Sequence, residues 1–255
     1  MPFTTEKDVN IYYEANGSGT PLVFIHPPGM SHATFVEQHP LAKSCQLILI
    51  DLPGNGYSTK LDAVSMENLT RYVLAVLERL GLEQVVIAGY SNGGSIAQEF
   101  ALRYPERTAG LILIGGFSEV SSFVLENQFK LGIWGASKQL IPLFAFILSR
   151  GHFKQHAKQK SLSNMIMKTD PQTLKMTYEA GLAYRSTKRL AAIHVPLLLV
   201  YGNRDFHMHS YALDFCQQVK DIELVYVSGV AHQVPTKRPN EANHVITNWL
   251  KRKKL

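Results

Sequence analysis

The residues best placed to do chemistry lie in Val85-Val-Ile-Ala-Gly-Tyr-Ser-Asn-Gly-Gly-Ser95. An apolar run ends in Gly89-Tyr90-Ser91-Asn92-Gly93, and a helical pattern follows at once. The spacing predicts a strand, a sharp turn and a helix, with Ser91 at the tip of the turn as a candidate nucleophile. A turn this tight forces the serine into a strained backbone. Side chains two residues before and after it would collide with the neighbouring strand and helix, so both places require glycine. The hydroxyl then stands at a helix N-terminus, where free N–H groups favour a developing negative charge.

A serine hydroxyl needs a base, an acid that orients the base, and donors for the oxyanion. Of ten histidines, His232 is the one just past the last strand, in Ser228-Gly-Val-Ala-His232, where a glycine-containing loop can reach back over the sheet edge. His244 falls inside the final helix, His194 precedes a strand, and His152 and His156 lie in a segment where they would at most touch substrate. For the acid, Asp205 follows the strand ending at Tyr201. Its rival is Glu119, just after the strand 111–114. The run Asp205-Phe-His207-Met-His209 also invites a metal reading, but one carboxylate and two spaced histidines make a weak ligand set, and no metal is expected.

The elements that must position these groups read as an α/β pattern. Val9–Tyr13 and Leu22–Ile25, on either side of the turn signal Asn16-Gly-Ser-Gly-Thr20, predict an opening hairpin. Continuous apolar runs at 47–50, 85–88, 111–114 and 196–201, and the run 223–227, are of strand length and suit a parallel sheet. Helical patterns fall between them at about 33–42, 66–80, 93–104, 211–219 and 240–250. Residues 117–190 break the rhythm with several helical stretches and no strand run. The expected fold is α/β, a doubly wound, mostly parallel sheet with a helical cap inserted after the sixth strand. The core comprises 1–116 and 191–255, and the cap 117–190.

Composition fits one domain of this kind. The chain has 255 residues, 45% hydrophobic and 18% charged, enough to bury a sizeable core. Cys45 and Cys216 form neither a disulfide framework nor a metal-type spacing, which suits a reducing compartment. The opening MPFTTEKDV lacks a basic-then-apolar signal region, so a cytoplasmic protein is expected. The run Leu140–Leu148 is about half the length of a spanning helix, so no membrane insertion is expected. The net charge of +6 is uneven, with eleven Lys/Arg against four Asp/Glu between Phe117 and Arg189, and a basic tail at Lys251-Arg252-Lys253-Lys254. The charge is not interleaved with stacking aromatics, so nucleic acid is not an expected partner.

Four motifs together resemble the α/β-hydrolase superfamily, in its small, cofactor-free serine hydrolase branch. They are Ile25-His26-Pro-Pro-Gly29, Asp51-Leu-Pro-Gly-Asn-Gly-Tyr-Ser58, Gly89-Tyr-Ser-Asn-Gly93, and the pair Tyr201-Gly-Asn-Arg-Asp205 with Gly229-Val-Ala-His232. The resemblance implies a Ser91–His232–Asp205 triad, no cofactor, a helical lid at 117–190 and a small-molecule substrate, in a monomer or homodimer. Asp51 and Ser58 read as stitches of a tight turn. Epoxide hydrolases and haloalkane dehalogenases look similar but place an aspartate at the nucleophile, and Ser91 argues against both.

One position departs from the pattern. The residue two past the loop histidine usually gives a backbone N–H to the oxyanion, and here it is Pro28, which has none. Asn92 N–H remains as the first donor, and the second is expected from Gly29 or Met30 through a shifted loop, or from a side chain. Phe117, Phe123, Trp134, Phe144 and Met165 of the inserted segment are expected to line an apolar pocket. The function expected is serine hydrolysis of carboxylic esters of a small to medium apolar substrate through an acyl-enzyme. The alternatives are C–C bond hydrolysis or another cofactor-free reaction on the same triad, and a small-ligand signalling receptor that retains the triad.

Overall fold

Alternation along the strands decides the architecture. In the central strands every side chain is apolar, so both faces can be covered. The computed structural model describes residues 3–255. Residues 1 and 2, which begin the stretch read for a secretion signal, lie outside the described residues. The strands are β1 (Phe3–Glu6), β2 (Val9–Asn16), β3 (Pro21–Ile25), β4 (Gln46–Ile50), β5 (Val85–Tyr90), β6 (Thr108–Ile114), β7 (Leu197–Gly202) and β8 (Ile222–Val227). They form one sheet in the order β1-β2-β4-β3-β5-β6-β7-β8. β1 and β2 pair antiparallel, β2 joins β4 antiparallel, and β4 through β8 run parallel.

The helices are α1 (Met66–Arg79), α2 (Gly93–Arg103), α3 (Phe123–Ser137), α4 (Ile141–His152), α5 (His156–Ile166), α6 (Pro171–Ala183), α7 (Tyr211–Gln218), α8 (Val234–Lys237) and α9 (Pro239–Lys253). Residues His32–Lys43 form an irregular 3-10 segment around Pro40. Val23, Ile25, Ile87, Leu111, Leu113 and Leu199 pack with α1, α2 and α7. Their strand neighbours Phe24, Val86, Ala88, Ile112 and Leu198 pack with α9 and the 3-10 segment. The sheet is therefore wound on both sides, with every residue of β5 and β7 buried.

The expected opening hairpin is corrected. β2 and β3 do not pair; β4 lies between them, antiparallel to β2 and parallel to β3. The turn at Asn16–Thr20 carries the chain past a gap that β4 fills later. β1 was not foreseen.

Four helices, α3 to α6, stand between β6 and β7. Met30, Ala136, Ile141, Ala145, Phe153, Leu162 and Leu174 form a separate apolar cluster among them and the core. Both ends of this segment meet at a neck. Ser186 donates to the Ser118 carbonyl through its N–H at 3.0 Å and its hydroxyl at 2.7 Å, and Glu119 and Arg185 form an isolated bridge.

Candidate active site

Ser91 ends β5 and precedes α2, with a positive φ of 53°. The strain that the motif requires is present, since a non-glycine residue in the left-handed region is costly. A Cβ on Gly89 would fall against the start of α2, and one on Gly93 against the Ile25 carbonyl of β3, so the steric reason for both glycines holds. Asn92 N-caps α2 with no side-chain bond. The first-turn N–H groups of a helix have no intrahelical partner, and Asn92 N–H donates to no backbone carbonyl among the described residues.

His232 stands in the loop between β8 and α8. Its Nδ1 lies 2.8 Å from Asp205 Oδ2, and Asp205, in the loop after β7, is 1% exposed. A buried carboxylate accepts, so Nδ1–H donates and Nε2 is left as the basic nitrogen. The ring rests on Tyr90 at 5.4 Å between centroids. On its other approach a Cβ at Gly115, the residue after β6, would lie 2.7 Å from the imidazole, so glycine is needed there for the histidine to sit. Ser91 and His232 line one cavity of about 220 Å³, together with Pro28, Met30, Asn92, Leu125, Phe129, Leu148, His152 and Tyr178. Asp205 stands behind His232.

The rival groups are occupied elsewhere. Glu119 accepts from Thr187 Oγ1 at 2.8 Å. His209 Nε2 lies 2.8 Å from the Gly202 carbonyl, and His207 reaches Asp205 Oδ1 only at 3.4 Å. Among the described residues no group of three or more His, Cys, Asp or Glu converges as a metal site.

Neither loop amide expected for the oxyanion is free. Gly29 N–H donates to Asn55 Oδ1 at 3.1 Å, and Met30 N–H donates to the Pro27 carbonyl at 3.2 Å. His26 is fully buried, with Nδ1 2.7 Å from the Pro27 carbonyl and Nε2 accepting from Leu52 N–H at 2.9 Å. Burial holds it neutral, with its pKa lowered to about 4. Asp51 carries the turn stitching: Oδ1 accepts from His32 N–H at 2.7 Å and Oδ2 from Tyr57 N–H at 3.0 Å, while Ser58 donates to the Asp51 carbonyl at 2.6 Å.

The five pocket residues expected from the inserted segment are corrected, because none lines the cavity that Ser91 and His232 share. Phe117 is fully buried against Phe129 and Tyr211, and Phe144 packs on Tyr178. Phe123 and Trp134 are 81% and 52% exposed, and Met165 is half-buried on α5. The roof is instead made by Leu125, Gln128 and Phe129 of α3, Leu148 and His152 of α4, and Tyr178 of α6. Their spacings of three and four put each group on one helical face, which is the signal that finds them. His152 is 5% exposed, its Nδ1 3.1 Å from Thr236 Oγ1. Burial, then the neighbouring His232 and Lys237, push its pKa down to about 3.

Both side-chain atoms of the Asn92 amide are buried without a hydrogen-bond partner. The amide lies against Gly181 of α6 and Phe129, next in the chain to Ser91.

The family description of the alpha/beta hydrolase fold matches residues 20–233. The chain is 27% identical to a putative carbamate hydrolase, RutD, of Azorhizobium caulinodans, over 98% of each chain. It is 29% identical to a pimeloyl-[acyl-carrier protein] methyl ester esterase of Nitrosospira multiformis, over 88% of this chain and 92% of the other. Among solved structures it superposes on an enol-lactonase of Burkholderia xenovorans LB400 with a TM-score of 0.87 at 18% identity, covering 98% and 100%. With the sheet order, the elbow and a match across most of its length, the chain belongs to the α/β-hydrolase fold family.

Proposed function

We propose that this protein hydrolyses carboxylic esters, with Ser91 as nucleophile, His232 as general base and acid, and Asp205 as the group that orients His232. The observation that carries the reading is the 2.8 Å bond from His232 to buried Asp205, behind an imidazole that shares a cavity with the strained Ser91. The methyl ester esterase among its relatives supports ester bonds as the target.

In this scheme Ser91 Oγ attacks the ester carbonyl carbon while His232 Nε2 takes its proton. The tetrahedral oxyanion is met by Asn92 N–H at the N-terminus of α2. Collapse expels the alkoxide, which takes the proton back from His232 and leaves as the alcohol, with the acyl group bound to Ser91. Water, deprotonated by His232, then attacks the acyl-enzyme, and the acid departs as Ser91 regains its proton. Asp205 stabilises the imidazolium in both halves. The scheme needs no cofactor. With Gly29 and Met30 N–H engaged elsewhere, a second oxyanion donor is the Asn92 side-chain amide, whose buried Nδ2 has no partner and must turn from Gly181 toward the cavity to serve. The segment 117–190 acts as a lid whose Leu125, Phe129 and Leu148 suit a small to medium apolar substrate.

The engaged loop amides also favour a second reading, C–C bond hydrolysis on the same triad. The test is reaction with a fluorophosphonate probe, followed by p-nitrophenyl esters and a vinylogous diketone. Labelling of wild type but not of Ser91→Ala, with turnover of esters, is expected. Absence of labelling in wild type overturns the nucleophile, and turnover of the diketone alone selects the second reading.

A further inference from the structure

A second cavity, of about 310 Å³, opens next to the catalytic one. Its walls carry four cations, Lys154, Lys158, Lys237 and Arg238, against one carboxylate, Glu37. Glu37 is already paired with Lys158, and Arg238 approaches Glu241 only at 3.9 Å. Lys154 and Lys237 have no acidic partner among the described residues.

The backbone adds to this charge. Gln155, also in the wall, is the N-cap of the 11-residue α5, which has neither a side-chain cap nor an acidic residue in its first turn. Its first N–H groups are free to face an anion. His152 lines both cavities, and α8 follows Gln233, in the catalytic wall, and ends at Lys237 in the cationic one. The two spaces therefore share His152 as a common wall.

We propose that the cationic cavity is a substrate subsite for an oxyanion, and that the preferred ester carries a terminal carboxylate or phosphate on the tail that passes His152. This deepens the ester hydrolase reading and rests on it. A neutral tail leaves Lys154 and Lys237 in water and gains nothing from them. An anionic tail gains charge-assisted hydrogen bonds from both and from the α5 N-terminus. Residues at the mouth of a charged cleft also raise the capture rate of an oppositely charged ligand, in a salt-dependent way.

The test compares the p-nitrophenyl half-ester of adipic acid with its methyl-capped neutral counterpart. Wild type is expected to favour the anionic ester at least about tenfold in kcat/KM, with the advantage shrinking as salt is raised. The double variant Lys154→Ala/Lys237→Ala, both exposed positions, should lose the advantage and keep its rate on the capped ester. Equal rates in wild type, or an advantage that survives the double variant, overturn the subsite while leaving the hydrolase reading standing. If no ester is turned over and the phosphonate fails, the hydrolase reading falls separately. Calorimetry with adipate and with inorganic phosphate then decides the subsite. Saturable binding lost in the double variant supports it, with the binding arm identifying the anion, and absence of binding by both overturns it.

Discussion

The main-chain N–H of Gly29 donates to the side chain of Asn55, 26 residues away in sequence, at 3.1 Å. Asn55 is 2% exposed, and its Nδ2 donates to the Pro53 carbonyl at 2.9 Å. One amide thus clamps the two loops that face each other beside the cavity. Removing it leaves a buried N–H unpaired, which costs about 1–3 kcal/mol. Asn55→Ala should lose that much stability in urea unfolding and keep kcat within about threefold. A loss of about 10²–10³ in kcat at unchanged stability would instead show that this loop serves the oxyanion.

Ser91 holds its left-handed backbone only because the fold imposes it. A Cβ there costs about 1–2 kcal/mol, and glycine is free of that cost. Ser91→Gly should be more stable than Ser91→Ala by about 1 kcal/mol, while both are inactive on esters. Thermal melts of the two variants check it, and equal melting temperatures would contradict stored strain at the elbow.

Asn92 offers a test of the proposed oxyanion donor. Its amide is buried with neither atom bonded, a burden of about 1–3 kcal/mol that an apolar group of similar size avoids. Asn92→Leu is expected to raise stability by about 1 kcal/mol and lower kcat at least about tenfold, because the substrate loses a donor. Unchanged kcat would assign the amide to packing alone and remove it from the oxyanion site.

Acid should weaken the protein through a buried histidine. His26 is neutral in the fold, its pKa lowered by burial to about 4, against about 6.5 when exposed. Its contribution is therefore complete above about pH 6.5 and is lost as pH falls toward 4, where the unfolded chain binds the proton and the fold does not. The difference corresponds to roughly 3 kcal/mol. Urea unfolding between pH 7 and 4 should show that decline, and His26→Gln, if less stable at pH 7, should show a shallower one. His32 runs the other way: its pairing with Asp51 raises its pKa against the opposing effect of burial, so its contribution is present at low pH and fades as pH rises through the folded value.

The sheet was readable because burial on both faces leaves uninterrupted apolar runs, and β4 through β7 fall within a few residues of them. The nearness of Ser91, Asp205 and His232 was readable because each follows a strand end, and the parallel topology gathers those ends at one edge of the sheet. The opening hairpin was not: a turn signal reports a reversal, whereas the partner of β2 is decided by β4, thirty residues later. The pocket lining failed for a related reason. Phe123 and Trp134 have the residue types of a pocket, but they stand on the outer face of α3, while Leu125 and Phe129 occupy the inner one. Sequence also exposes the missing N–H of Pro28, but not that Asn55 engages Gly29.

The neck at Ser118 and Ser186 fixes both ends of the α3–α6 segment to each other rather than to the helices between them. Closing a loop costs only slowly more as it lengthens. A graft that keeps Ser118, Glu119, Arg185 and Ser186 can therefore exchange the intervening helices for a shorter or longer set at little cost to the sheet. The helices over the cavity thus enter and leave the sheet at a single seam, the place where one set can be exchanged for another.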